Sequence, residues 1–203
     1  LAINTPVRNA LVAATWLRLA WKEHKRRSTI VFALSIQHAH SLAAAFHAVC
    51  RSAGQECVAF ENMGNADGGT NAVTENVNIV CIKVLTSETQ AEERAQILDD
   101  FAQGKVHVLL NCAVLSEGTD IPRTDCIVMT RPTCNAGLYV QMVGRGLRRA
   151  KGKQYCLVLD FVDRLRASPR SLVTFPALLN ANAPSNVKPG SSGGENIDEQ
   201  PGK

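Results

Sequence analysis

Six short runs of this chain are mostly apolar: TIVFAL (29–34), CVAF (57–60), NIVCIKV (78–84), VHVLLN (106–111), CIVMT (126–130) and QYCLVLDFV (154–162). A strand with one face in water alternates apolar and polar residues. Continuous β-branched runs belong to strands buried on both faces, as in parallel sheets. Helical segments lie between them. One runs from about Gln37 to Ser52 and is closed by Gly54; another, AEERAQILDDF, opens at a Thr89-x-x-Glu92 capping box and ends at Gly104; a third runs from about Asn135 to Arg149, after Pro132. Strand and helix in alternation predict an α/β fold, a parallel sheet with helices on both faces.

The segment 5–26 reads as a leading helix, with Val7, Leu11, Ala14, Leu17 and Trp21 at helical spacing. It ends in a basic cluster, His24 to Arg27, which suits a helix C-terminus. Residues 1–27 are therefore read as a leading helix or linker, and 28–180 as the domain proper. Within it, 61–76 is polar, Gly/Asn-rich and aperiodic, and reads as a flexible insertion. Residues 181–203 are rich in Pro, Gly and Ser and read as a disordered tail.

A chain of 203 residues with 45% hydrophobic and 20% charged content has material for one ordinary core. Its net charge of +4 points only weakly to an anionic partner. Aromatic residues make up 5%, so base stacking is not expected to dominate any nucleic-acid contact. The seven cysteines include no CxxC pair, and several lie in apolar runs. They read as free thiols of an intracellular, reducing compartment, and no metal site is expected. No apolar run is long enough to span a bilayer. The chain starts without Met, so the lack of a targeting segment carries no weight.

Neither GxxxxGK[ST] nor GxGxxG occurs, and no DExH-like acidic run is present. Any nucleotide bound here is held without a triphosphate cradle of the chain's own. Two other features bear on anions. In QMVGRGLRR, Gln141 and Arg145 stand at i, i+4 and Arg145 and Arg148 at i, i+3, so all three are expected to project from one face of the 135–149 helix. Arginine is planar, always charged and forked, and fits phosphate. A solvated basic helix end explains the same residues. Gly144 and Gly146 flank Arg145 and imply close backbone approach or an altered helix end. In SEGTDIP (116–122), Gly118 permits a tight path and Asp120 offers an acceptor; an ordinary turn is the plainer account. This loop follows a buried strand, where ligands of parallel sheets bind.

With these residues in view, QMVGRGLRR resembles motif VI of superfamily 2 helicases in its Q-x-x-G-R-x-x-R form. NCAVLSEGTDIP resembles motif V, and TIVFALSIQHAHSLAAAF motif IV; EERAQILDDFAQGKVHVLLN is similar to the segment that joins them. Their order matches the C-terminal half of such a helicase. Gln141, where DEAD-box proteins carry His, is similar to the branch of type I/III restriction motors and XPB-like translocases. Within it the chain most resembles fungal mitochondrial helicases acting on branched DNA. The resemblance implies a RecA-like, P-loop-NTPase-like domain lacking its own P-loop, joined to a first RecA-like domain that holds ATP with Mg²⁺. It implies Arg145 and Arg148 as arginine fingers, with Gly118, Asp120, Gln141 and Gly144 beside the nucleotide. Ser35, His38, Thr86, Ser87 and Asn111 would lie near the nucleic-acid backbone. The whole protein would be an ATP-dependent helicase on DNA, with RNA or a purely nucleic-acid-binding module as alternatives. Its location would be mitochondrial, with the nucleus as alternative, and this chain alone would be inactive. The stretch from about Cys57 to Lys83 is longer than the family pattern.

Overall fold

The computed structural model describes residues 3–58, 79–114 and 121–161. Six strands form one sheet: β1 (Thr29–Phe32), β2 (Glu56–Val58), β3 (Ile79–Leu85), β4 (Val108–Asn111), β5 (Cys126–Met129) and β6 (Leu157–Asp160). Their order across the sheet is β2-β3-β4-β1-β5-β6, and every pairing is parallel. The helices are α1 (Pro6–Trp16), α2 (Ile36–Ser52), α3 (Ala91–Gln103) and α4 (Ala136–Gly144).

Side chains alternate along each strand, so one strand feeds two cores. Val31, Ile82, Leu110 and Val128 face α1 and α2, whose Trp16, Leu42 and Phe46 fill that side. Ile30, Phe32, Leu109 and Met129 face α3 and α4, meeting Phe101, Tyr139 and Met142. The six apolar runs and the two-sided helix cover are those expected from the sequence.

The helices differ in detail. The leading segment forms the expected helix and packs into the core: Val12, Ala13, Trp16 and Ala20 are fully buried. Thr5 caps α1, its Oγ1 accepting from the Arg8 N–H, and Pro6 follows at the first helical position. After Trp16 the chain widens into a π-helix, Leu17–Glu23, in which the His24 N–H reaches Leu19 O. In an α-helix, residues five apart point about 140° away from each other. The wider winding lets Trp16 and Trp21 turn to the same side, with ring centroids 5.7 Å apart. The basic cluster beyond is engaged in packing, Arg26 stacked 3.9 Å over Tyr155 and Arg27 3.9 Å over Trp21.

The capping box does not form. Gln90 is the N-cap of α3, while Thr89 Oγ1 accepts from the Thr86 N–H in the preceding turn. Gly104 does close the helix, at φ 86°. Its missing side chain makes room for the Arg123 guanidinium, which donates to Ala102 O. Residues 61–76 and 181–203 lie outside the described residues.

The third expected helix is shorter than the sequence suggests. α4 ends at Gly144, not Arg149. The next amide bonds tighten to i→i−3: Arg145 N–H to Met142 O, Gly146 N–H to Val143 O and Leu147 N–H to Gly144 O. Gly146 supplies the reason. A Cβ there would strike Cys156 Sγ and stand 2.8 Å from Ile127 Cγ1. Gly146→Ala is thus expected to lower the unfolding free energy by about 1–3 kcal/mol through overpacking, read as a lower urea midpoint. Gly144→Ala should leave stability level or raise it, since nothing lies within 4 Å of its would-be Cβ. Equal loss from both would show that the Gly146 seat is not special.

Candidate nucleotide and nucleic-acid sites

The end of α4 carries the arginines. Arg145 keeps helical angles, φ −60° and ψ −36°, so it still follows Gln141 along one face. Arg148 lies beyond the helix, and the shared-face argument does not extend to it. Both arginines are half-buried, whereas Gln141 and Arg149 are exposed. The turn is held from two sides. Gly146 seats against Ile127 and Cys156, at the amino-terminal end of β5 and β6. The Lys153 ammonium then donates to Arg148 O at 2.8 Å and to Pro122 O at 3.1 Å. Burial lowers the Lys153 pKa. One cation thereby ties the arginine turn to the exit of the SEGTDIP loop. Nothing in the sequence distance of 31 residues signals this bridge. Gly118 and Asp120 lie outside the described residues.

The other candidates gather at the opposite end of the sheet. Ser35 follows β1, Thr86 and Ser87 follow β3, and Asn111 ends β4. These three strands are neighbours, so their carboxyl ends form one continuous row about 10 Å wide. Arg131, half-buried, extends the row past β5.

The side chains in that row play different parts. Ser35 is exposed and caps α2, its Oγ accepting from the His38 N–H. Ser87 is exposed as well. Thr86 is buried and its Oγ1 accepts from the Glu88 N–H. Asn111 is buried, and its Oδ1 accepts from the Val114 N–H. That bond shapes a turn in which Ala113 adopts φ 60°, a strained setting for a residue with a side chain. A notch of about 20 Å³, room for one water, opens there between Phe32, Asn111, Ala113, Arg131 and Met142.

His38 does not reach solvent and cannot meet a nucleic-acid backbone. It is fully buried; its Nδ1 accepts from the Leu34 N–H, and its Nε2 stands 3.2 Å from Asn9 Oδ1. An accepting Nδ1 puts the proton on Nε2, which then donates to Asn9. Asn9 passes the network on to Asn4 Oδ1 at 2.7 Å. Burial, with Arg8 adding to it, lowers the His38 pKa to about 4. The residue is a strut between α1 and the loop that carries Ser35. Asp125, unnoticed in the sequence, is a second strut, its carboxylate accepting the Arg27 and Ser28 N–H groups at 3.0 and 2.9 Å.

A parallel six-stranded sheet, helices on both faces and an arginine turn with no triphosphate loop define the second RecA-like domain of a superfamily 2 helicase. The chain belongs to the helicase conserved C-terminal domain family, which matches residues 10–150. It is 38% identical over 149 residues to the putative mitochondrial ATP-dependent helicase irc3 of Schizosaccharomyces pombe, covering 72% of this chain and 20% of that protein. It is 32% identical over 177 residues to the putative ATP-dependent helicase IRC3 of Saccharomyces cerevisiae, covering 87% of this chain and 21% of that one. The chain thus spans about a fifth of the length of these relatives. Its fold also matches domain 2 of the DEAD-box helicase Mss116p bound to an RNA duplex, with a TM-score of 0.53 at 16% identity, over 78% of this chain and 51% of that one.

Proposed function

We propose that this chain is the second motor domain of an ATP-dependent DNA helicase or translocase that works in mitochondria. The fission-yeast relative's name carries that location, and the Q-x-x-G-R form of motif VI together with EGxDIP resembles the branch of type I/III restriction motors and XPB-like DNA translocases, Gln141 by itself speaking only against the DEAD-box form. Residues 1–27 through about 180 serve as one motor unit, with 61–76 as a loop insertion. Arg145 and Arg148 act across a cleft on a γ-phosphate held by a first RecA-like domain. Gln141, Gly144, Gly118 and Asp120 border the same nucleotide. ATP with Mg²⁺ supplies the phosphoryl group whose developing negative charge the two guanidiniums stabilise. Arginines delivered by a second domain make hydrolysis depend on closure, and release of closure provides the stroke. The open space over Gly144 supports the approach of a partner there.

One observation carries the reading: a single sheet holds the pinned arginine turn at one end and a row of loops on β3, β4 and β1 at the other. A shift of the arginines on nucleotide binding is therefore transmitted rigidly to the loop row. In that row Ser35 and Ser87 offer hydroxyls to phosphates, while Thr86 and Asn111 hold the loops that present backbone N–H groups. Such contacts grip the phosphate chain without reading bases.

The chain should accordingly bind DNA weakly, with affinity that falls steeply as salt rises and hardly changes with base sequence. Fluorescence titrations of the chain against DNA of two unrelated sequences, and RNA of the same sequence, across a salt series check this. A strong base preference persisting at high salt would contradict it, and tighter binding to RNA would move the assignment to RNA helicases.

A further inference from the structure

The α2–β2 corner holds a group that neither proposed site uses. Cys50, in the last turn of α2, is fully buried. Cys57, in β2, is half-buried at the sheet edge farthest from the arginine turn. The connection between them is tight: Cys50 O accepts from both the Ala53 and Gln55 N–H groups, at 3.0 and 2.9 Å, and Gly54 takes φ 72°. Trp21 Nε1 clamps the turn by donating to Gln55 Oε1 at 3.1 Å. The result packs Cys57 against the buried cluster that contains Cys50, with His47, Arg51 and Lys22 near the two thiols.

Those neighbours divide the pair. Hydrogen bonds from Cys50 and then His47, with the positive field of Arg51, lower the Cys57 pKa, while Cys50, the donor and the more buried, is raised. By contrast burial pushes Cys81 and Cys156 up to about 11 each, so they stay protonated. A reactive cysteine is a partly exposed thiolate in a cationic setting, and a resolving cysteine beside it completes a redox site.

We propose that Cys57 and Cys50 form a reversible oxidation site, in which a peroxide oxidises Cys57 and Cys50 then closes an intrachain disulfide. In the first step the Cys57 sulfur attacks a peroxide oxygen. The O–O bond breaks, an S–O bond forms, and the leaving hydroxide takes up a proton to become water. In the second, the Cys50 sulfur attacks the Cys57 sulfur; the S–S bond forms, the S–O bond breaks, and the departing hydroxide carries off the Cys50 proton as water. The two thiols lose two electrons together and hydrogen peroxide is reduced to two waters. His47, near Cys57, is placed to take the first proton and return it to the leaving oxygen. The disulfide ties the end of α2 to β2.

The test treats the full 203-residue chain with equimolar hydrogen peroxide, blocks remaining thiols and maps tryptic peptides under non-reducing conditions. Trypsin cuts at Arg51, between the two cysteines, so a bridge joins two peptides; fragmentation separates Cys57 from Cys81 on the second. The expected result is a Cys50–Cys57 link that dithiothreitol reverses. Exposed Cys134 serves as internal control for simple access. In the Cys50→Ser variant, Cys57 should instead be trapped by dimedone as its sulfenic acid. The proposal is overturned if Cys57 stays alkylatable while Cys134 is oxidised, if Cys57 joins another cysteine or a second chain, or if Cys50→Ser gives no dimedone adduct.

Discussion

Replacing either Arg145 or Arg148 with Ala in the full-length protein should cut ATP hydrolysis by on the order of 10³-fold or more, the scale of a true arginine finger. Nucleotide affinity should fall far less, because a first domain would hold most of the triphosphate. DNA binding should survive, since the loops proposed to grip it lie at the other end of the sheet. Lysine should rescue poorly, being a point charge without the bidentate fork. Arg149, exposed where Arg145 and Arg148 are half-buried, should tolerate Ala with most activity kept. The chain by itself should show almost no turnover. Single-turnover hydrolysis and equilibrium nucleotide binding, measured side by side, check these statements. If all three variants turned over ATP normally, the finger assignment would be withdrawn; if Arg149→Ala were as damaging as the others, partial burial would not be what selects them.

Acid should destabilise this domain through two histidines. Each accepts a main-chain N–H at Nδ1: His38 from Leu34 at 3.3 Å and His107 from Cys81 at 3.0 Å. Neither can take a proton at Nδ1 without losing that bond. Burial, first, lowers each pKa from 6.5 to about 4; Arg8 contributes at His38, and Arg27 and Arg123 at His107. Between about 4 and 6.5 the unfolded chain therefore binds protons that the native one refuses, so stability rises with pH across that window and levels off above it. Each histidine contributes on the order of 3 kcal/mol over the full window. Urea unfolding at pH values across that range should show the decline toward acid. The double variant His38→Asn, His107→Asn keeps an acceptor near each Nδ1 and removes the titration, so its slope should be much flatter. An equally steep slope in the double variant would place the acid sensitivity elsewhere.

The sequence by itself determined the frame. Six apolar runs became six parallel strands because a stretch apolar on both faces has no solvent side to offer. Gly54 and Gly104 marked helix ends because each takes a positive φ that side chains resist. The family was legible for a related reason: QMVGRGLRR and the motif IV segment are contiguous, so their order survives in one dimension. Tertiary structure decided what lies across the chain. α4 stops at Gly144 because Gly146 meets Ile127 and Cys156, residues that periodicity along the helix cannot see. His38 read as a surface contact and is a buried strut because Asn9, 29 positions away, receives it. Thr89 left its capping box for the Thr86 amide, and the leading helix winds as a π-helix where Trp21 comes round to Trp16. Lys153 holds the arginine turn through two carbonyls, Pro122 and Arg148, of different loops. Periodicity and dihedral preference are local, and one sequence displays them. Burial and the choice of hydrogen-bond partner are properties of residues that only the folded chain brings within a few ångströms.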